Sequence, residues 1–116
     1  MKGIGFSGGY ANARTLSILM LTLMKGQLIE SNTLKETFKP QSYGRGKISK
    51  QTLGWWHGKV NGYQSYFHPG GGGGYSCEVQ IYPDTGLVRV MIMNKTQTFG
   101  DLKLFKTIDK LWLPNI

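Results

Sequence analysis

The chain has 116 residues, which is enough for one modest domain and excludes a large autonomous enzyme. Its hydrophobic share of 40% supports a core, whereas 17 glycines and only two alanines disfavour a fold made mainly of long helices. A single cysteine, Cys77, excludes an intrachain disulfide and a cysteine-rich metal site. The longest apolar stretch, residues 16–24, is far shorter than the roughly 20 residues that span a bilayer, so no membrane span is expected.

The net charge of +8 comes from 14 Lys and Arg against 6 Asp and Glu, and it is unevenly distributed. No acidic residue occurs from Thr37 to Cys77. The basic residues and histidines of that window are Lys39, Arg45, Lys47, Lys50, His57, Lys59 and His68. Two interpretations are open, a solvated basic surface or an anion-attracting cleft. Nucleic-acid binding is not favoured, because no recognised nucleic-acid motif accompanies the charge.

A buried helix is predicted near the start of the chain. Apolar residues recur at three- and four-residue spacing over residues 13–25, and Gly26 follows as a stop signal. The residues before this helix lack the apolar core of an export signal, so the sequence leaves the compartment open.

A second, short helix and a loop follow. The helix is indicated by Ser31 as N-cap, or by a capping box of Thr33 with Glu36, and it should end before Pro40. Its buried face would consist of Leu34 and Phe38. Residues 41–52 lack periodicity and indicate a loop.

After the loop the apolar period changes to two, which predicts strands. Strands over residues 53–60 and 63–68 flank Asn61-Gly62, a dipeptide typical of a type I′ hairpin turn, in which both central residues have positive φ. Residues 75–82 alternate, which predicts one buried face and one wet face. The residues expected to be buried are Tyr75, Cys77, Val79 and Ile81, and those expected to face solvent are Ser76, Glu78, Gln80 and Tyr82.

A turn at residues 83–86 leads into the last strand. Residues 87–93 are apolar except for Arg89, which predicts a strand inside the sheet with both faces covered. Such a strand has little with which to protect an exposed edge, so we expect self-association or a complementing chain. A C-terminal helix over residues 100–112, stopped by Pro114, would place Leu102, Phe105, Ile108 and Trp112 on one face.

The most unusual segment is the run of five glycines, residues 70–74, between two predicted strands. Such a run lets backbone amides approach a ligand. On glycine content alone, a flexible loop is the favoured interpretation. A phosphate loop is excluded, because no Gly-Lys-Ser/Thr follows and the next element is a strand.

A single motif includes the glycine run, the two strands after it and the turn between those strands. The run His68-x-Gly70-Gly71-x-x-Gly74-Tyr75-Ser76, followed by an alternating strand, a Pro-Asp-x-Gly turn and an apolar strand ending in Asn94, resembles the third active-site motif of serine β-lactamases and penicillin-binding proteins. It is similar to the class C and esterase-like branch, in which H-x-G replaces K-T-G. The segments that match upstream in the same order are 8–13, 26–31, 38–41 and 53–56.

The resemblance implies a serine nucleophile in S-x-x-K and a Y-x-N-type motif, both N-terminal to the present segment. None of the seven serines, at positions 7, 17, 31, 42, 49, 65 and 76, has lysine three positions on. Tyr10-Ala11-Asn12 spells Y-x-N, but it falls where the family has a glycine turn before a helix, and we interpret it as that turn.

Carried over residue by residue, the resemblance also implies roles for the H-x-G segment. His68 would face the nucleophile and bind or polarise the carboxylate or acyl side of the substrate. Gly70 would let the substrate lie along the strand edge, and the backbone N–H of Gly71 would be one oxyanion donor. Histidine in place of lysine, and a glycine run longer than the resemblance requires, leave peptides, esters and β-lactams open as substrates.

Other side chains carry weaker signals. His57, His68 and Cys77 lie on separate predicted strands without short ligand spacing, so neither a metal nor another cofactor is expected. Trp55 and Trp56 point to opposite strand faces, so one is expected in the core and the other at the cleft. Cys77 lies on the apolar face of its strand and is expected to be an inert thiol.

The sequence therefore predicts an α+β fold, with an antiparallel sheet of about four strands, two helices before it and a C-terminal helix packed on it. Residues 1–116 would form one partial domain, helical and looped over 1–52, with strands and a helix over 53–116. The predicted function is the C-terminal portion of a serine hydrolase, completed by an N-terminal portion and acting on a small-molecule or peptide acyl substrate. The resemblance suggests an extracytoplasmic location. The alternative is a non-catalytic truncated module that self-associates or binds an anionic partner through a basic surface.

Overall fold

A computed structural model describes residues 9–115, so Gly8 of the predicted glycine turn lies outside the described residues. In chain order the elements are α1 (Ala13–Met24), α2 (Ser31–Thr37), β1 (Trp56–Val60), β2 (Tyr63–Gly72), β3 (Tyr75–Tyr82), β4 (Leu87–Met93) and α3 (Phe99–Trp112). The strands form one antiparallel sheet in the order β1-β2-β3-β4. The predicted α+β architecture is confirmed. None of the helices described here is long and apolar enough to cross a membrane.

One face of the sheet carries the main apolar core, beneath α1 and α2. Its buried residues are Leu34, Phe38 and Ile81. The partly buried residues that pack against them are Met20, Leu23, Met24, Ile29, Trp55, Tyr66 and Val88. The Phe38 ring stacks on the Tyr66 ring with centroids 4.0 Å apart. Each large apolar side chain that is fully buried contributes about 1.5–3 kcal/mol, so this cluster holds both helices on the sheet.

The opposite face of the sheet is polar and buried, contrary to the prediction that it faces solvent. The residues concerned are Ser76, Glu78, Gln80 and Tyr82, none of them more than 2% exposed. They are buried because α3 packs over them with Phe105 and Asp109. Arg89 of β4 donates hydrogen bonds to Glu78 and to Asp109, so a protein group replaces water as the partner of these carboxylates.

β1 is shorter than the sequence predicts. It begins at Trp56 rather than Leu53, because Gly54 at φ +87° turns the chain just before it. The N–H of Thr52 donates to the carbonyl oxygen of Trp55 at 2.7 Å and closes that turn.

β2 is longer than the sequence predicts. It runs to Gly72 instead of ending at His68, because the first three glycines pair with β3. Only Gly73 and Gly74 form the connecting turn, with Gly74 at φ +83°. Most of the glycine run is therefore strand, and the interpretation as a flexible loop is wrong.

The residues that cap α1 and α2 were not identified from the sequence. The Oδ1 atom of Asn12 accepts a hydrogen bond from the N–H of Thr15 at 2.8 Å and caps α1. At α2 the N-cap is Glu30, which makes no capping hydrogen bond, and Ser31 is already the first helical residue. Both capping schemes predicted for α2 are therefore wrong, although the helix itself is present.

β4 and α3 have the predicted positions but different environments. β4 is the last strand of the sheet within residues 9–115 rather than an interior strand, and Arg89 is its one buried residue. The buried stripe of α3 and its C-cap is Phe105, Asp109 and Leu113. Trp112, predicted on the buried face, is 74% exposed, and Leu113 just after the helix is the buried residue at this end.

Candidate functional site

The H-x-G segment lies where β2 extends beyond its neighbour β1. β1 pairs with β2 only as far as Trp56 opposite Phe67, whereas β3 pairs with β2 through Gly72 opposite Tyr75. The outer edge of residues 68–72 consequently has no partner strand among the described residues. An open strand edge offers its backbone N–H and C=O groups to an extended ligand.

The strand register determines which backbone groups face this open edge. Val60 and Tyr63 flank a two-residue turn, so they form a hydrogen-bonded pair and the backbone groups of Tyr63 point towards β1. Alternation along β2 gives Pro69 and Gly71 the same direction. Because Pro69 has no N–H, the N–H of Gly71 is the donor that this segment directs at the open edge.

His68 lies at the first residue of the open edge. Its side chain is exposed and lines a hollow of about 150 Å³. The other residues that line this hollow are Gln51, Thr52, Gly54, Trp55 and Trp56. Trp55 also packs on Phe38 in the core, with ring centroids 6.1 Å apart, whereas Trp56 is exposed. The two tryptophans thus divide as predicted, and both border the hollow beside His68.

A second hollow, of about 290 Å³, lies along the glycines. It is lined by Pro69, Gly70, Gly71, Gly72, Thr96 and Gln97. The loop after β4 is held here because the N–H of Gly74 donates to the Oγ1 atom of Thr96 at 2.9 Å. Sequence reasoning missed Thr96 and Gln97, and their one signal was their place just after Asn94, where the matched motif ends.

Glycine at these positions keeps the hairpin compact. A β-carbon at Gly70 would lie 3.2 Å from the Sγ atom of Cys77, and one at Gly71 would lie 3.0 Å from the carbonyl oxygen of Tyr75. A larger residue at Gly71 would require the backbone of β3 to shift by a few tenths of an ångström, whereas at Gly70 the Cys77 side chain would have to shift. The absence of side chains leaves the backbone of this segment accessible to a ligand.

Two buried polar atoms near the second hollow are unpaired. Within the described part of the chain, neither Nε2 of Gln97 nor Oγ of Ser76 has a hydrogen-bond partner. Gln97 lines the hollow, and Ser76 is the cross-strand partner of Gly71. Unpaired buried polar groups are costly, so Gln97, which lines the hollow, would gain from a ligand that supplies a partner.

The remaining candidate residues serve local structure. The Nε2 atom of His57 lies 3.0 Å from the carbonyl oxygen of Ser49 in the preceding loop. Cys77 is partly buried beside Gly70. Over the part of the chain that is described, no three His, Cys, Asp or Glu residues come together as metal ligands would. Asn12 of the Tyr-Ala-Asn sequence caps α1, as the interpretation as a turn before a helix implies.

Comparison with known proteins matches the chain to one family model. The family model described as Beta-lactamase matches residues 3–110, which include the whole sheet and most of α3. No curated protein and no solved structure matches the chain.

Proposed function

The chain belongs to the beta-lactamase family, and from that premise we propose that it forms the H-x-G wall of an acyl-serine active site. The observation that carries the proposal is the open outer edge of residues 68–72, to which Gly71 presents its N–H. The serine and its activating lysine are contributed by a polypeptide segment outside the printed sequence, because no S-x-x-K occurs in these residues.

The proposed roles follow from the chemistry of acyl transfer. The serine hydroxyl adds to the substrate carbonyl, whose oxygen becomes an oxyanion held by the N–H of Gly71 and by the N–H of the serine itself. The leaving group departs with a proton, and water then hydrolyses the acyl-enzyme. His68 binds or polarises the acyl side of the substrate from the hollow that it lines, and Gly70 keeps the strand edge clear.

The activity of this chain by itself depends on two groups, an oxyanion donor and a nucleophile. An oxyanion donor is typically worth about 10²–10³ in rate, but it acts only on an intermediate that a nucleophile has formed. The wall alone therefore provides binding and polarisation without covalent chemistry. For that reason we expect activity to require the serine-bearing segment.

The test compares the full chain alone with the chain mixed with a serine-bearing N-terminal segment of a family member. Incubation of the chain alone with a fluorescent penicillin should give no adduct in mass spectrometry. In a complex that acylates, His68→Ala should lower the acylation rate by about 10²-fold, whereas His57→Ala, the matched control, should change it little.

Two outcomes would overturn the proposal. One is a stoichiometric serine adduct on the chain alone. The other is equal acylation by the parent and the His68→Ala complexes, with circular dichroism showing that both are folded.

A further inference from the structure

The loop between α2 and β1 is an ordered arm, which we call the basic arm and define as residues 41–51. An isolated antiparallel bridge joins Ser42 to Ile48. Inside that bridge, the N–H of Tyr43 donates to the carbonyl oxygen of Lys47 at 2.9 Å. The arm therefore has the hydrogen bonding of a small hairpin, although the sequence indicated only a loop without periodicity.

The base of the arm is fastened through Ser49. This residue is buried, and its hydroxyl donates to Oη of Tyr43 at 3.0 Å and accepts from the N–H of Gln51 at 2.9 Å. Its carbonyl oxygen lies 3.0 Å from Nε2 of His57 on β1. These contacts hold the arm against the body of the protein in a fixed orientation.

The tip of the arm has an unusual backbone. Gly44, Arg45 and Gly46 have φ values of 83°, 51° and 72°. Positive φ at a residue other than glycine is uncommon and costs conformational energy. Arg45 is thus displayed at the turn at an energetic cost that glycine there would avoid.

The surface of the arm combines cations with exposed apolar groups. Tyr43 is 74% exposed and Ile48 is 72% exposed. The cations that accompany them are Arg45, Lys47 and Lys50. No ion pair among the described residues involves any of these three, and residues 38–77 contain no acid.

We propose that the basic arm docks the protein on an anionic lipid bilayer. The cations would meet acidic headgroups, and Ile48 and the Tyr43 ring would enter the interfacial region of the bilayer, where amphipathic and apolar side chains are stable. This role is separate from the proposed acyl-serine chemistry and does not depend on it.

The chemistry of the arm favours a bilayer over other anionic partners, because a bilayer offers acidic headgroups to the cations and an apolar region to the exposed Ile48. Single-stranded nucleic acid could stack on the exposed Tyr43 ring, but it would leave the equally exposed Ile48 without an apolar partner. Three cations and two apolar side chains support weak, reversible binding, so the arm would orient the protein at a membrane rather than anchor it.

The test measures binding of the full chain to vesicles of phosphatidylcholine with and without phosphatidylglycerol. We expect binding only to the anionic vesicles. Arg45→Gln with Lys47→Gln should weaken it by about fivefold for each cation removed. The matched control, Lys103→Gln with Lys110→Gln on α3, removes the same charge and should change the affinity little. Equal losses in the two double variants would overturn the proposal, as would no binding to anionic vesicles.

A second variant separates lipid from other polyanions. Ile48→Ser should weaken vesicle binding severalfold and leave any weak binding to polyuridylate unchanged, because only a bilayer accepts the apolar side chain. The side chain is largely exposed, so the variant is expected to fold, which circular dichroism can verify. Tighter, arm-dependent binding to polyuridylate than to vesicles would contradict the lipid assignment and favour nucleic acid.

Discussion

Arg89 illustrates, at the scale of single residues, how one charge organises the sheet face beneath α3. Its Nη1 atom donates to Oε2 of Glu78 at 3.1 Å, and its Nη2 atom donates to Oδ2 of Asp109 at 3.0 Å. The same carboxylate oxygen accepts the hydroxyl of Tyr82 at 2.6 Å. The guanidinium carbon also lies 5.1 Å from the centre of the Phe105 ring. One buried cation thus faces two buried carboxylates, and α3 is held to β4 through Asp109.

We predict that Asp109→Ala lowers the free energy of unfolding by about 3–5 kcal/mol, because it leaves the buried Arg89 without its main partner. The exposed Lys110 on the same helix provides the control, and Lys110→Ala should change stability by no more than about 0.5 kcal/mol. Urea unfolding at neutral pH measures both. Similar losses in the two variants would show that the network does not hold α3.

The burial of Glu78 makes its contribution to stability depend on pH. Burial raises the pKa of Glu78 above its usual 4.5, although Arg89 lowers it in part. The folded state then holds the proton more tightly than the unfolded state, so this group contributes full stability below pH 4.5. That contribution is lost as the pH rises through the raised pKa.

Glu78→Gln removes this titration, so we predict that the stability of the variant relative to the parent increases as the pH rises from acid to neutral. Urea unfolding at a series of pH values provides the measurement. A relative stability of the variant that falls over the same range would mean that the ion pair with Arg89 outweighs the burial of the carboxylate.

The comparison of sequence with structure is clearest at the scale of elements. The alternation around Asn61-Gly62 predicted the first hairpin, and both residues have positive φ, as the turn requires. Alternation could not show that the polar face of β3 is buried as well as its apolar face, because Asp109 lies 20 residues beyond Arg89 and only folding brings them together. The glycine run has low strand propensity, and its pairing with β3 overrides that preference.

Only those residues of the candidate site that belong to a sequence motif could be predicted. The H-x-G pattern singled out His68, Gly70 and Gly71 directly. The open edge depends on how far β1 extends, which the turn at Gly54 decides. The second hollow depends on the path of the loop after β4, which contributes Thr96 and Gln97. No sequence pattern predicts the path of that loop.

The second hairpin turn gives a prediction at this scale. A β-carbon at either Gly73 or Gly74 would meet no atom within 4 Å, but only Gly74 has positive φ. Gly74→Ala should therefore destabilise the protein by about 1–2 kcal/mol through backbone strain alone. Gly73→Ala, the adjacent control, should be close to neutral. Thermal unfolding of the two variants tests this, and equal midpoints would contradict the strain argument.

At the scale of the whole molecule, exposed apolar surface on α1 and on β4 bears on association. α1 has no buried residue, and Ile18, Leu19 and Leu21 on it are exposed. On β4, Ile92 is exposed, and its strand pairs with β3 alone among the described residues. A strand edge with apolar side chains and unpaired backbone groups favours association with another strand.

We therefore predict that the isolated chain associates through β4 rather than remaining a monomer. Size-exclusion chromatography with light scattering at several concentrations should show a mass that rises with concentration. Ile92→Lys, which places a charge on the edge strand, should shift the population to monomer, whereas Leu111→Lys on the exposed side of α3 should not. Hydrogen exchange over residues 87–93 should slow as the protein associates. A monomer at every concentration, with these amides already protected, would mean that another segment of the same chain covers the edge.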